Sequence, residues 1–197
     1  MFHFLKVIAN FAPIGAVIVF AIGLRQYSRA ERWKRTEFVA KLFKEFSDDP
    51  NCDVAMSLLA GDKRKIFYEA GGKWESYDYD YDVLCVALAD PAKEKQLEPY
   101  QLHIRESLDQ FFVYIEQFDR AIKNRLVSHT DVYPYFGYWI GLLKGDNTIK
   151  KKMREDARLA VIDYMNRQEF DDAENFFLKR KWGEKIGWKK WLCGLIR

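Results

Sequence analysis

Residues 7–24 read VIANFAPIGAVIVFAIGL, a run without a charge in which Asn10 is the one strongly polar side chain. At a helical rise of ~1.5 Å per residue the run spans about 27 Å, close to the ~30 Å hydrocarbon thickness of a bilayer. A helix that is apolar on all sides does not suit a soluble surface. Phe2, Phe4 and Leu5 extend the apolar character outward, and Lys6 can snorkel to the interface. The expectation is a transmembrane anchor over residues 1–25. A cleaved signal peptide is the rival, but it calls for a charged start, a shorter apolar core and a small-residue cleavage site. Here the run is followed by RQYSRAERWKR, a stop-transfer flank.

The flanks give an orientation. Arg25, Arg29, Arg32, Lys34 and Arg35 follow the run, against Lys6 alone before it. The positive-inside rule then places the N-terminus outside and the C-terminal side in the cytoplasm, a single pass through the inner (cytoplasmic) membrane. Tyr27 and Trp33 suit the interfacial zone. Ala12 and Ala16 have the four-residue spacing of packed membrane helices, and Asn10 could bond to a partner, so a homo-oligomer through this helix is a further expectation.

Charge is distributed unevenly. Five bases against Glu31 give residues 25–35 a charge of +4, and seven against Glu184 give residues 179–197 a charge of +6. With Lys6 and a total of +3, residues 36–178 carry −8. An acidic body between two basic ends is expected to keep off anionic lipid while its ends adhere, and it opposes a role in nucleic-acid binding.

Residues 26–178 should form a mainly α cytoplasmic domain of six or seven helices with a small β-like insertion. Phe38, Val39, Leu42, Phe43 and Phe46 recur at helical spacing. Asp49 then caps a second helix that has Pro50 in its first turn and ends near Gly61. KIFYEA, the pair Gly71-Gly72 and KWESYDYDY alternate like a hairpin, with a loop-rich insertion as the alternative. A short helix covers residues 83–89. The longest helix is expected over 97–127, where Ile104, Leu108, Phe111, Ile115, Phe118 and Ile122 alternate steps of four and three. Phe112 widens that stripe toward internal bundle packing rather than an intermolecular coiled coil. Further helices are expected over 131–143, 148–166 and 169–182.

Residues 179–197 (LKRKWGEKIGWKKWLCGLIR from Leu178) read as a basic, Trp-rich amphipathic tail. As a helix it would put Trp188, Trp191, Leu192 and Leu195 on one face, and Lys189 and Lys190 largely off it. Trp182, Trp188 and Trp191 with those lysines are candidate contacts to anionic lipid headgroups. Packing of the tail on the acidic body and nucleic-acid binding through its basic and aromatic groups are the competing readings. Cys193 near a membrane would be open to acylation.

Local chemistry is sparse. Asp78, Asp80 and Asp82 begin like a calcium loop, but Val83 and Ala89 stand where Gly and Glu are required. His3, His103 and His129 lack metal-ligand spacing, and Cys52, Cys85 and Cys193 have no paired spacing, as ordinary thiols in a reducing compartment would. No phosphate-binding glycine loop or nucleophile elbow occurs, so no catalytic residue, cofactor or metal is assigned.

Two stretches together carry a resemblance: the anchor with RAERWKRTEFVAKLFKEFSDDP and a short helix containing MSLL, then SLDQFFVYIEQFDRAIKNRLVSHTDVYPYFGYWI. Their order is similar to a loose group of uncharacterised bacterial proteins with one N-terminal membrane helix and a helical cytoplasmic domain. The resemblance covers roughly residues 1–143. It implies a helical domain at a bacterial inner membrane and carries over no substrate or catalytic residue. KWESYDYDY and the tail depart from it.

Three functional readings follow. The first is a membrane-tethered module for protein interaction or regulation. Its candidate partner surface is Tyr133, Tyr135, Phe136, Tyr138 and Trp139, for which core packing is the competing use. The second is a membrane-damaging or stress-response effector acting through anchor and tail. The third is an enzyme with a noncontiguous site.

Overall fold

A computed structural model describes residues 17–62, 64–90, 97–146, 149 and 152–182 in full, and residues 2–16 as helical backbone. The chain divides into two compact units, Met1–Lys41 and Leu42–Arg197.

The first unit belongs to helix α1, Phe2–Asp48, which at 47 residues is about 70 Å long. Its polar half is rich in Arg, Lys and Glu, strong helix formers that keep it continuous past the apolar run. It ends where Asp49 turns extended (φ −80°, ψ 118°), as expected before the Pro50 ring. Among the described residues no helix is long and apolar enough to cross a membrane, and residues 7–16 of the expected span fall outside those whose side chains are described.

The second unit is mainly helical. It contains α2 (Pro50–Ala60), the antiparallel hairpin β1 (Lys65–Ala70) and β2 (Lys73–Asp78), α3 (Tyr81–Leu88), α4 (Pro99–Lys123), α5 (His129–Lys144), α6 (Glu155–Arg167) and α7 (Asp171–Glu174). A π-helical turn, Asn175–Lys179, closes it. Local chemistry sets the boundaries. The Asp49 carboxylate accepts from Asn51 N at 2.9 Å, and Asp80 accepts from the backbone of Asp82 and Val83 at 2.9 and 3.0 Å, capping α2 and α3. Capping boxes open α4 (Glu98 with Gln101) and α5 (Ser128 with Asp131). Gly61 and Gly145 end α2 and α5 in the left-handed conformation. At Gly61 a Cβ would also run into the Tyr81 ring.

The α4 stripe organises the core. Ile104, Leu108, Phe111, Phe112, Ile115 and Phe118 are completely buried. Phe118 meets Phe136 of α5 with ring centroids 4.8 Å apart, and Phe136 also touches Phe46 at 5.2 Å and Phe176 at 5.7 Å, both edge-on. Phe111 stacks on Phe177 at 6.0 Å, and Phe112 packs on Phe170 at 5.3 Å. The seven-residue pattern is thus used inside one chain, where aromatic rings from several elements fill its seam.

Four boundaries differ from expectation. The longest helix is α1, and α4 stops at Lys123 because Asn124 and the left-handed Arg125 (φ 58°) turn the chain. The helix expected from residue 148 begins at Glu155. The described residues 149 and 152–154 before it are not helical. Residues 147, 148, 150 and 151 of that expectation lie outside the described set. The segment expected as one helix over 169–182 is helical over 171–179, where α7 passes without a break into the π turn, an arrangement that buries Phe176 and Phe177 together.

Phe136→Ala should lower stability by about 3–5 kcal/mol, because five neighbouring rings cannot collapse into the space it leaves. Urea unfolding checks this, and a loss under about 1 kcal/mol would place Phe136 outside the core.

Candidate membrane-facing and partner-facing surfaces

In the first unit, Val17, Ile18, Val19, Phe20, Ile22 and Leu24 are all more than half exposed. The bases follow in the same helix without a break. Arg25, Arg29, Arg32 and Lys34 are exposed, whereas Arg35 is half-buried and its Nε has no hydrogen-bond partner among the described residues. Tyr27 and Trp33 stand out at 70% and 71% exposure, with no protein covering an aromatic ring of amphipathic character. One helix thus carries an uncovered apolar cylinder, then a basic collar with two rings.

The root of the tail is built differently from the sequence reading. Trp182 is buried. Its Nε1 donates to Phe176 O at 2.7 Å, and its ring lies edge-on to Phe176 at 4.7 Å and tilted over Tyr133 at 5.7 Å. Trp182 is therefore a core residue rather than a headgroup contact, because α5 and the π turn cover it. Trp188, Lys189, Lys190 and Trp191 lie outside the described residues.

Beside Trp182 sits an ionic clasp. Asp119 of α4 has no exposed surface, and it pairs with Arg180 and with Lys123 Nζ, the latter at 2.9 Å. Asn175 Nδ2 lies 3.3 Å from its Oδ2. The π turn places Asn175 and Arg180 so that both reach this carboxylate. Lys123 also pairs with Asp172, and hydrogen bonds to the two carboxylates hold its ammonium above its ordinary pKa. A buried carboxylate is costly unless its oxygens are occupied in this way. Neither α4 periodicity nor the tail composition signalled Asp119, since the clasp joins residues 61 positions apart.

The aromatic segment of α5 is mostly structural. Phe136 is fully buried, so it offers nothing to a partner. Tyr133, Tyr135, Tyr138 and Trp139 are half-buried. Tyr133 lies under Trp182, and Tyr135 stacks tilted on Phe43 at 4.5 Å. Trp139 packs against Tyr138 at 5.5 Å, and its buried Nε1 has no hydrogen-bond partner among the described residues. At about 100° per residue these positions are spread around the helix, with Tyr133 and Tyr135 on nearly opposite sides, which is why they are not collected on one outer surface.

The hairpin holds the aromatic surface that sequence reasoning missed. Ile66, Tyr68 and Tyr77 face inward, whereas Phe67 and Trp74 project outward at 64% and 76% exposure. Phe67 pairs with Ser76, and Trp74 with Glu69, so the two rings are diagonal neighbours on one face. Strict alternation in KIFYEA and KWESYD was the signal for this.

Other candidate groups have structural duties. Asp80 is a cap, Asp82 pairs with Arg154 at 2.6 Å, and Asp78 faces Lys65 across the strands. Arg105 is buried and donates to Ala87 O and Ala89 O, both at 2.6 Å, and Arg167 donates to Leu88 O, so two guanidinium groups satisfy the end of α3. Tyr164 donates to Asp109 at 2.7 Å, and burial holds the Asp109 carboxyl above its usual range. Burial pushes the Cys52 thiol up to about 12, so it stays protonated and unreactive at neutral pH. His129 is the exposed first residue of α5, and Cys193 lies outside the described residues.

His103 lies against Tyr68 at 5.2 Å, and its Nδ1 is 3.3 Å from the Tyr77 hydroxyl. Burial lowers its pKa from the ordinary value of 6.5, against the opposing pull of Glu106. A depressed histidine favours the neutral form in the fold. Its contribution to stability is present above the unfolded pKa and is lost as pH falls through the folded value. Wild type should therefore lose more stability between pH 7.5 and pH 5 than His103→Gln, by urea midpoints at each pH. Equal losses would refute this.

Asp119→Asn should cost about 3 kcal/mol, because Arg180 loses its buried counter-charge. Tryptic cleavage after Arg180 should accelerate in the native protein. Unchanged cleavage and an unchanged urea midpoint would show that the clasp holds nothing.

No family model, curated protein or solved structure matches this chain.

Proposed function

We propose that the chain is a membrane-tethered helical module for protein interaction or regulation. In this reading α1 crosses the cytoplasmic (inner) membrane once, with the N-terminus outside and the mainly helical domain in the cytoplasm. The supporting observation is the exposure of Val17 to Leu24 on an unbroken helix that runs straight into Arg25, Arg29 and Arg32. Water solvates such an apolar cylinder poorly, at ~25 cal/mol for each Å² left uncovered, and lipid solvates it well. The backbone can enter lipid because a helix satisfies its own hydrogen bonds. The bases then sit where anionic headgroups are, and their asymmetry gives the orientation.

For the interaction role, the outer face of the hairpin is the surface of choice. Phe67 and Trp74 are large exposed rings on a strand pair, and adjacent exposed rings of this kind mark partner contacts more often than isolated apolar side chains do. Phe67→Ser with Trp74→Ser should leave the urea midpoint within about 0.5 kcal/mol of wild type, as expected where no packing is lost.

Membrane fractionation tests the tether. The full chain should remain in the pellet after alkaline carbonate extraction, and a chain lacking residues 2–24 should move to the supernatant. Extraction of the full chain into the supernatant would overturn the reading.

A further inference from the structure

The β1–β2 hairpin turns on a two-residue loop, Gly71-Gly72, with both residues left-handed (φ 55° and 77°). Such a loop makes Ala70 and Lys73 a hydrogen-bonded pair, and bonded pairs then recur at every second residue. Tyr68 with Glu75 and Ile66 with Tyr77 are the next, and Tyr79 N donating to Arg64 O at 3.0 Å continues the same phase. Lys65, Phe67 and Glu69 therefore direct their N–H and C=O groups away from β2, along the outer edge of β1. Among the described residues no hydrogen bond reaches those backbone groups, and all three residues are exposed. Open edges are ordinarily blunted by a proline, a bulge or a covering segment. β1 contains no proline, and its register with β2 is unbroken from Lys65 to Ala70.

The side chains on this edge select its partner. A second β1 laid antiparallel against the first, with the two-fold axis at Phe67, sets Lys65 opposite Glu69, Phe67 opposite Phe67, and Glu69 opposite Lys65. Both outer pairs are of opposite charge, and the central pair joins two exposed rings. The backbone matches in the same register, because each of these residues faces outward and can exchange two hydrogen bonds with its opposite number. The β2 edge lacks this self-complementarity. A two-fold axis at Ser76 sets Trp74 against Asp78, with neither an ion pair nor a ring pair. The inner face of the hairpin is already occupied, since Ile66 and Tyr68 are buried and Tyr68 lies on His103 of α4.

We infer that β1 pairs with β1 of a second copy of this chain, forming a four-stranded antiparallel sheet in the order β2-β1-β1-β2. The inference rests on the reading of the hairpin as the interaction surface and names its partner. Three residue pairs bury little area, so the pairing is weak between freely diffusing copies. Tethering to one membrane raises the local concentration of copies and offsets that weakness.

The test uses the full chain in vesicles, with its native cysteines replaced and a nitroxide attached at Lys73→Cys. In the paired sheet the two labelled positions lie three strand spacings apart across the sheet and six residues apart along it, about 25 Å between Cα atoms. Pulsed electron resonance should show that distance in the labelled parent. Lys65→Glu alone sets glutamates against glutamates, and Glu69→Lys alone sets lysines against lysines. Each should weaken pairing by about tenfold. Mixing the two variants restores opposite charges at both outer pairs, and the distance should return. Absence of the distance in the parent, its persistence in both single variants, or no recovery in the mixture would overturn the pairing. Contact through α1 alone would be indifferent to these substitutions and counts against it. The two readings fail differently. If the distance is absent but a co-purifying protein is lost on Phe67→Ser with Trp74→Ser, the pairing falls and the hairpin remains a surface for a different partner. If both are absent, the hairpin reading falls as well.

Discussion

A helix satisfies its backbone internally, so its surroundings are decided by its side chains alone. In α1 those side chains change from uncovered Val, Ile, Phe and Leu to uncovered Arg within a single residue step at Leu24–Arg25. Among the described residues nothing buries either kind of surface there. In the proposed arrangement the bilayer does, with hydrocarbon around the first kind of surface and headgroups around the second. In that proposed arrangement attachment to the membrane and orientation both follow from the one boundary.

The second unit obeys a different constraint. Its core is built from edge-on and tilted phenyl rings gathered around Phe118 and Phe136, with the α4 stripe as its spine. The buried Asp119 then fixes the end of the described chain by drawing in Arg180 and Asn175, and Trp182 closes over Phe176. The charge of this clasp is spent on holding the chain rather than on presenting groups to a substrate. Arg105, which is buried, and Arg167, which is half-buried, are used in the same way at the end of α3. Surface chemistry is left to the hairpin, where Phe67 and Trp74 stand clear of the core.

Local signals were legible in the sequence. Asp49 with Pro50, Gly61 and the α4 stripe announced helices and their ends, and alternation around Gly71-Gly72 announced the hairpin. Each depends on residues within a few positions of one another. Long-range features were not legible. Trp182 resembles a tail tryptophan by composition, and only its docking on Phe176 and Tyr133 makes it a core residue. Asp119 sits in an ordinary helical sequence, and its role exists only because the π turn returns Arg180 to it. Phe136 sits in a run of aromatic residues that suggested a surface, yet the helical period directs it inward while its neighbours are half-covered.

The central claim concerns what surrounds residues 17–24. Nitroxide labels placed singly at positions 18, 20 and 22, and at 26, 29 and 33, in full-length protein with its native cysteines replaced, report that surrounding directly in vesicles. The account predicts frequent collisions with oxygen and few with a water-soluble nickel chelate at 18–22, and the reverse at 26–33, with the change centred on Leu24. Equal access of the nickel chelate at both sets of positions would contradict it.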